Sequence, residues 1–317
     1  MNVRAKRVGF GFFFGIILVS VLGGCEVIQS KQQVGFENRL IDKDGRPTEP
    51  LRKLLQVFDI KHDDTLKTIV DETQKVWLRP AGKERWEVEL LHEDKRDQIM
   101  PILKEIGCID EVFPSQEKYT YGVVLGALVS RVRSRFAFLL DLYKRGVRFD
   151  EVVFLGGERP LYPNQEPEEL LLDPNNKELP FSPDWQLKGE LPKTETEMMQ
   201  MVFDQAELPE GFAENVRVTF VDAPMQQKAD GALRRPTTND TIERWLEQNP
   251  APGSCLFVSN QPYSGRQDSV ARTYLPERFA IETVGSAAYK DLPIVTFLDS
   301  LARWLYQEKK RRPELAN

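Results

Sequence analysis

Five short apolar runs, each closing on small or turn-forming residues and each handing over to a segment of helical spacing, limit this chain to few folds. They read YGVVLG (121–126), DEVVFLGG (150–157), VRVTFVDAP (216–224), SCLFVSN (254–260) and RFAIETVG (278–285). Runs apolar on both faces predict strands covered on both sides. Apolar residues recur at helical spacing through SRVRSRFAFLLDLYKRG (130–146) and near 194–206, 239–248, 264–275 and 294–308. Strand alternating with helix predicts an α/β domain over 119–317: a doubly wound, Rossmann-like, mainly parallel sheet of about five strands with helices on both faces. The stretch 158–193 breaks the order with prolines, asparagines and acidic residues and reads as a long insertion over one face.

Ahead of that domain, PLRKLLQVFDIKHDDTLKTIVDETQKVWL (50–78) and KRDQIMPILKEIG (95–107) repeat apolar residues at helical spacing, with Pro101 expected to kink or start a helix. Between them ERWEVELLH (84–92) is a candidate strand. Residues 50–118 therefore read as a small, mainly helical accessory region, and the polar, turn-rich residues 25–49 as a linker.

The front of the chain concerns location. Arg4, Lys6 and Arg7 precede the uncharged run VGFGFFFGIILVSVLGGC, which ends in Leu22-Gly23-Gly24-Cys25. A basic start, an apolar middle and small residues at the exit form an export signal. Small residues before a cysteine match a bacterial lipoprotein signal, with 1–24 removed and Cys25 acylated as the membrane tether. The alternative is an uncleaved anchor, because Val8 to Gly24 is 17 residues, the short end of a span. Either way the chain is expected in the cell envelope, with its body exported.

Hydrophobic content of 41% and charged content of 29% exclude a disordered bias for that body. The net charge of −6 argues against nucleic acid as a partner. The basic run KKRR (309–312) reads as a solvated helix end. Beyond Cys25 the cysteines are Cys108 and Cys255, able to bridge in an oxidising compartment, although Cys255 sits where a buried strand is expected. No Cys/His spacing indicates a metal. His62 and His92 lie outside any motif, so surface positions are expected and a Ser-His-Asp mechanism in the main domain has no base.

In parallel sheets the ligand site lies beyond the carboxyl ends of the strands. Those ends bring Gly126, Gly156-Gly157 with Glu158 and Arg159, Asp222, and Ser259-Asn260 to one rim. The helix after 126 adds Arg131, Arg133 and Arg135, of which 131 and 135 share a face while 133 points away. Ser259, Asn260 and Arg266 fit a site for an anionic small molecule; the alternative is that Ser259 and Asn260 cap a helix and Arg266 pairs with a surface acid. TTNDTIERW (237–245) sets Thr238 or Asn239 as an N-cap, with Asp240, Thr241 and Glu243 inside the helix. Neither a Walker spacing nor G-x-G-x-x-G occurs, so the cofactor stays open.

Together these blocks resemble the SanA/YdcF/ElyC-like envelope proteins. The resemblance rests on Gly122–Gly126 leading to Arg135, Leu142-Tyr143 and Gly146; on Gly156-Gly157; on Thr194-Glu195-Thr196 with Met199; on Asp240-Thr241-Ile242-Glu243; and on Val258-Ser259-Asn260 with Tyr263 and Arg266. It covers roughly 121–307. Two positions depart from the family pattern: Tyr263 stands where a histidine is usual and Gln267 where an alanine is. A tyrosine is a poor proton carrier near neutrality. The resemblance implies a Rossmann-like fold, a polar pocket at the strand ends, a role in envelope integrity or surface-polymer metabolism, and a nucleotide-like ligand such as S-adenosylmethionine.

Two functions follow. In the first, a lipid-tethered envelope protein binds, or also acts on, an anionic small molecule or a lipid-linked sugar intermediate. Arg135 and Arg266 hold the charge, and Glu195, Asp222 and Glu243 supply acids able to hold Mg²⁺. In the second, the fold is a non-catalytic scaffold for envelope interactions, made through 50–118 and 158–193.

Overall fold

The computed structural model describes residues 35–315; the signal and Cys25 lie outside the described residues. The five apolar runs are five strands, β1 (Lys118–Leu125), β2 (Arg148–Gly157), β3 (Arg217–Ala223), β6 (Gly253–Asn260) and β7 (Phe279–Ser286). A two-stranded antiparallel ribbon, β4 (Gln226–Gln227) and β5 (Leu233–Arg234), follows β3 in the chain and forms a separate sheet. The five lie in the order β3-β2-β1-β6-β7 and every pair is parallel. The order runs outwards from β1 in one direction and then from β6 in the other, so the sheet reverses between β1 and β6.

Alternate residues of one strand feed opposite cores, as a pleat requires. Val124, Val152 and Val258 face α4 (Val129–Lys144), α6 (Glu195–Gln205) and α7 (Phe212–Asn215), where Phe154 stacks on Phe220 at 4.8 Å and meets Phe136 edge-on at 5.1 Å. Val123, Leu125, Val153 and Phe257 face α8 (Thr238–Leu246) and α9 (Ser264–Tyr274) through Ile242, Trp245, Val270 and Ala271. Helices on both faces and parallel strands make the fold Rossmann-like. The 158–193 insertion carries one short helix, α5 (Glu168–Leu171), and tucks Leu171 and Leu179 into the first core.

A third core joins the accessory helices α1 (Glu49–Val57), α2 (Leu66–Val76) and α3 (Arg96–Ile106) to α10 (Ile294–Arg311). Three local expectations change there. Residues 35–48, read as linker, bury Phe36, Leu40 and Ile41 in this core. The candidate strand at 84–92 is a single turn of 3-10 helix, Arg85–Glu87, closed by a mutual Glu84–Glu87 cap; Trp86, Leu90 and Leu91 are left exposed. Pro101 lies inside α3 and does not start it, and Gly107 ends that helix at φ +87°, where a glycine is at ease. The 309–312 run is paired rather than merely solvated: Lys309 meets Asp71 at 3.3 Å, and Arg312 meets Glu308 at 2.6 Å.

Cys108 and Cys255 are both free and buried, and burial pushes each thiol up to about 12. His62 and His92 are half-buried, the first beside Asp64 at 3.2 Å and the second edge-on to Phe58. Among the described residues no helix is long and apolar enough to cross a membrane.

Candidate functional site

A cleft of about 290 Å³ opens where the sheet reverses, between the ends of β1 and β6. Leu125 and Gly126 form its floor on one side, and Tyr263, Arg266 and Gln267 enter from the turn and first turn of α9 on the other. Gly126 is bare because α6 crosses above it: a β-carbon there would meet the Glu195 carboxyl at 2.8 Å. The crossing is set by a capping box, in which Thr194 accepts from the Glu197 amide and Glu197 accepts from the Thr194 amide. That starts the helix at Glu195 and leaves its buried carboxyl on the cleft.

Arginine dominates the lining. Arg131 and Arg135 come from one face of α4, while Arg133 points the other way and ties down the insertion through Leu170 O, Leu171 O and Gln205 Oε1. Arg135 is buried; its Nε donates to Asn260 Oδ1 at 3.0 Å, and its Nη1 donates to the carbonyls of Leu125 and Gly126 at 2.8 and 2.9 Å. Arg266 makes no hydrogen bond, and its Nε is buried without a partner. Arg131 likewise has a buried Nη1 without a partner. Tyr263 lies between two cations, with the Arg85 guanidinium 4.5 Å and that of Arg131 5.1 Å from its ring centre, and its buried hydroxyl is unpartnered.

Three further arginines gather on one acid. Asp299 of α10, almost fully buried, accepts from Arg79 at 3.4 Å and Arg303 at 3.0 Å and lies 3.6 Å from Arg85 Nε. Arg159 is fully engaged, bidentate with Glu166 at 2.8 and 3.1 Å and 3.4 Å from Glu195. Arg235 meets Glu84 at 3.1 Å and the Tyr162 hydroxyl at 2.7 Å. Burial and the repulsion of neighbouring guanidiniums push Arg135 and Arg266 down to about 9, still charged at neutrality. Burial likewise raises the Glu195 carboxyl above the usual range, against the pull of Arg159. The arrangement can hold an anion on unpartnered guanidinium N–H groups, with the Glu195 carboxyl beside it.

Of the residues singled out in the sequence, Gly126, Arg131, Arg135, Arg159, Glu195, Thr238, Thr241, Tyr263, Arg266 and Gln267 line this cleft. Asn260 stands behind it and aims Arg135. Ser259 does not reach it: its hydroxyl bonds Gln267, and neither Ser259 nor Asn260 caps α9, whose N-cap is Tyr263. Gly156 backs onto Thr196 of α6, and Gly157 lets Pro236 approach, where a β-carbon would meet the proline ring at 2.4 Å. Asp222 ends the edge strand β3, exposed, and accepts from Thr196 at 2.8 Å. Asp240 closes the cap of α8, whose N-cap is Thr237 and not Thr238 or Asn239, and pairs with Arg234 at 2.8 Å. Glu243 is exposed on that helix. Glu195, Asp222 and Glu243 thus fail to converge, and no group of three metal-ligating side chains occurs among the described residues.

Arg79, Arg85, Arg235 and Arg303 were not foreseen, for they arrive from the accessory region, the ribbon and α10. A larger groove of about 620 Å³ runs along α6 and residues 182–193. It takes no residue from a strand end, and none of its side chains holds a buried polar atom without a partner. No family model, curated protein or solved structure matches this chain.

Proposed function

We propose that this chain is a lipid-tethered protein of the bacterial cell envelope whose α/β domain binds an anionic small molecule at the reversal of the sheet. The observation that carries the binding role is the set of unpartnered guanidinium groups of Arg131 and Arg266 facing one cleft. A buried donor without a partner costs about 1–3 kcal/mol, more when charged, and a bound anion removes that cost. The location rests on the Cys25 signal and on the resemblance to SanA/YdcF/ElyC-like proteins, which also favours a sugar- or nucleotide-like anion.

The test is thermal unfolding of the full chain in detergent with inorganic phosphate, sulfate and succinate. A ligand at a hundred times its Kd stabilises by about 2.7 kcal/mol. At least one anion is expected to raise the melting temperature, and Arg266→Ala to reduce the effect; absence of any shift would sink the binding role. Cys25→Ser is expected to release the protein from membranes, and retention there would overturn the lipid tether.

A second reading, a scaffold for envelope partners, is favoured by Val76, Trp86, Leu90 and Leu91, exposed along one accessory segment. Partner crosslinks confined to 76–91, with Arg266→Ala silent, would select it.

A further inference from the structure

We infer that the cleft is built for a diphosphate, two phosphoryl groups joined through one oxygen, in preference to a single phosphate or a carboxylate. The inference rests on the anion-binding reading and names the chemical class of that anion.

Charge is the first ground. Eight arginines line the cleft, and the acids that contact them are four, Glu84, Glu166, Glu195 and Asp299. Four positive charges remain in excess in a space of about 290 Å³. A carboxylate balances one of them, and a phosphate monoester about 1.5 to 2. A diphosphate concentrates more charge in the same volume.

Placement is the second. The guanidiniums fall into two banks on either side of the sheet's reversal point, and each bank holds one that no protein oxygen engages, Arg131 in the first and Arg266 in the second. Arg131, with its buried Nη1, and Arg135 come from α4 after β1. Arg266, whose buried Nε has no partner, comes from α9 after β6, and Arg85, whose Nε lies 3.6 Å from Asp299, comes from the accessory region. The Tyr263 ring contacts a guanidinium of each bank, at 5.1 Å and 4.5 Å, and its unpartnered hydroxyl stands with them. A carboxylate has two acceptor oxygens and a terminal phosphate three, which leaves part of this set unmet. Two linked phosphoryl groups, one to each bank, supply acceptors for all of it, and planar guanidinium forks suit such oxygens.

The experiment is titration calorimetry of the full chain in detergent at constant ionic strength, with inorganic pyrophosphate, phosphate and succinate as probes. Pyrophosphate is expected to bind about tenfold or more tighter than phosphate, a difference of about 1.4 kcal/mol or more, and succinate weakest. Arg131→Met and Arg266→Met are each expected to reduce pyrophosphate to the affinity of phosphate, because each removes the one guanidinium of its bank that no protein oxygen engages. Tyr263→Phe keeps the ring and gives a second reading should an arginine variant fail to fold; it is expected to weaken pyrophosphate more than phosphate. Phosphate binding as tightly as pyrophosphate, or a pyrophosphate advantage intact in the variants, overturns the diphosphate inference while leaving the anion site standing. Failure of every probe overturns both. Uridine diphosphate and geranyl diphosphate, compared with pyrophosphate, distinguish a nucleotide source of the diphosphate from an isoprenoid one.

Discussion

Asn260 at the end of β6 accepts a 3.0 Å hydrogen bond from Arg135 Nε of α4, joining the two strand-helix units that flank the reversal of the sheet. Arg135 has three of its contacts fixed by protein oxygens, so Asn260 sets the direction in which the remaining Nη2 points. Replacing Asn260 by Ala leaves a buried charged donor unmet, at about 1–3 kcal/mol. Urea unfolding should show that loss, and anion affinity should fall with it. Asn260→Asp supplies the oxygen again and is expected to recover stability while weakening the anion by added negative charge. An Asn260→Ala protein with unchanged affinity would mean that Arg135 needs no aiming.

Arg266 carries a buried charge with no acceptor, a cost borne by the empty protein. Arg266→Met keeps the apolar stem and discards the charge. Exchanging a poorly compensated buried charge for an apolar group is commonly neutral or stabilising, by about 1–4 kcal/mol. The variant is expected to melt a few degrees higher than the wild type without ligand and to gain less from pyrophosphate than the wild type does. Differential scanning calorimetry with and without anion reads both. A variant that melts lower without ligand would show that Arg266 supports the fold.

Tyr263 separates ring from hydroxyl. The hydroxyl has no partner, so Tyr263→Phe removes an unmet buried group and is expected to leave the melting temperature unchanged or raised. Tyr263→Leu removes the face that Arg85 and Arg131 share, worth about 0.5–2 kcal/mol for each cation, and is expected to lower it. Equal melting temperatures for the two variants would deny the ring its role.

Much of this framework is legible in the residues, and what is not has a common cause. Contiguous apolar runs locate β1, β2, β3, β6 and β7 because a covered parallel strand needs them. Helical spacing alone separates Arg131 and Arg135 from Arg133, and Arg133 does turn away to bind Leu170 and Leu171. The order of strands has no such local mark. Asp222 closes a strand as Asn260 does, yet β3 is the sheet's edge, two strands from β1, so Asp222 lies outside the cleft. Arg79 and Arg85 reach Asp299 from far along the chain, which no spacing could announce, whereas Arg303 meets it at i,i+4 within α10. Phe36, Leu40 and Ile41 did carry a signal, three apolar residues within one polar stretch, which outweighs the turn formers around them.

Asp63 contributes to stability on the acid side. Its Oδ1 accepts from the Thr65 amide at 3.1 Å, the Thr65 hydroxyl at 2.6 Å and the Thr68 hydroxyl, in the turn that opens α2. The two hydroxyls, with the amide behind them, hold the carboxyl at about 2, below its unfolded value of about 3.9. A folded pKa lower than the unfolded one means that the unfolded chain takes up the proton first. The stability Asp63 supplies is therefore present above about pH 4 and drains away as pH falls towards 2. Asp63→Asn has no such titration. Wild type is expected to be the more stable at pH 6, with the gap in melting temperature closing steadily between pH 4 and pH 2. A gap that stays constant across that interval would show that the threonine hydroxyls do not favour the ionised carboxylate.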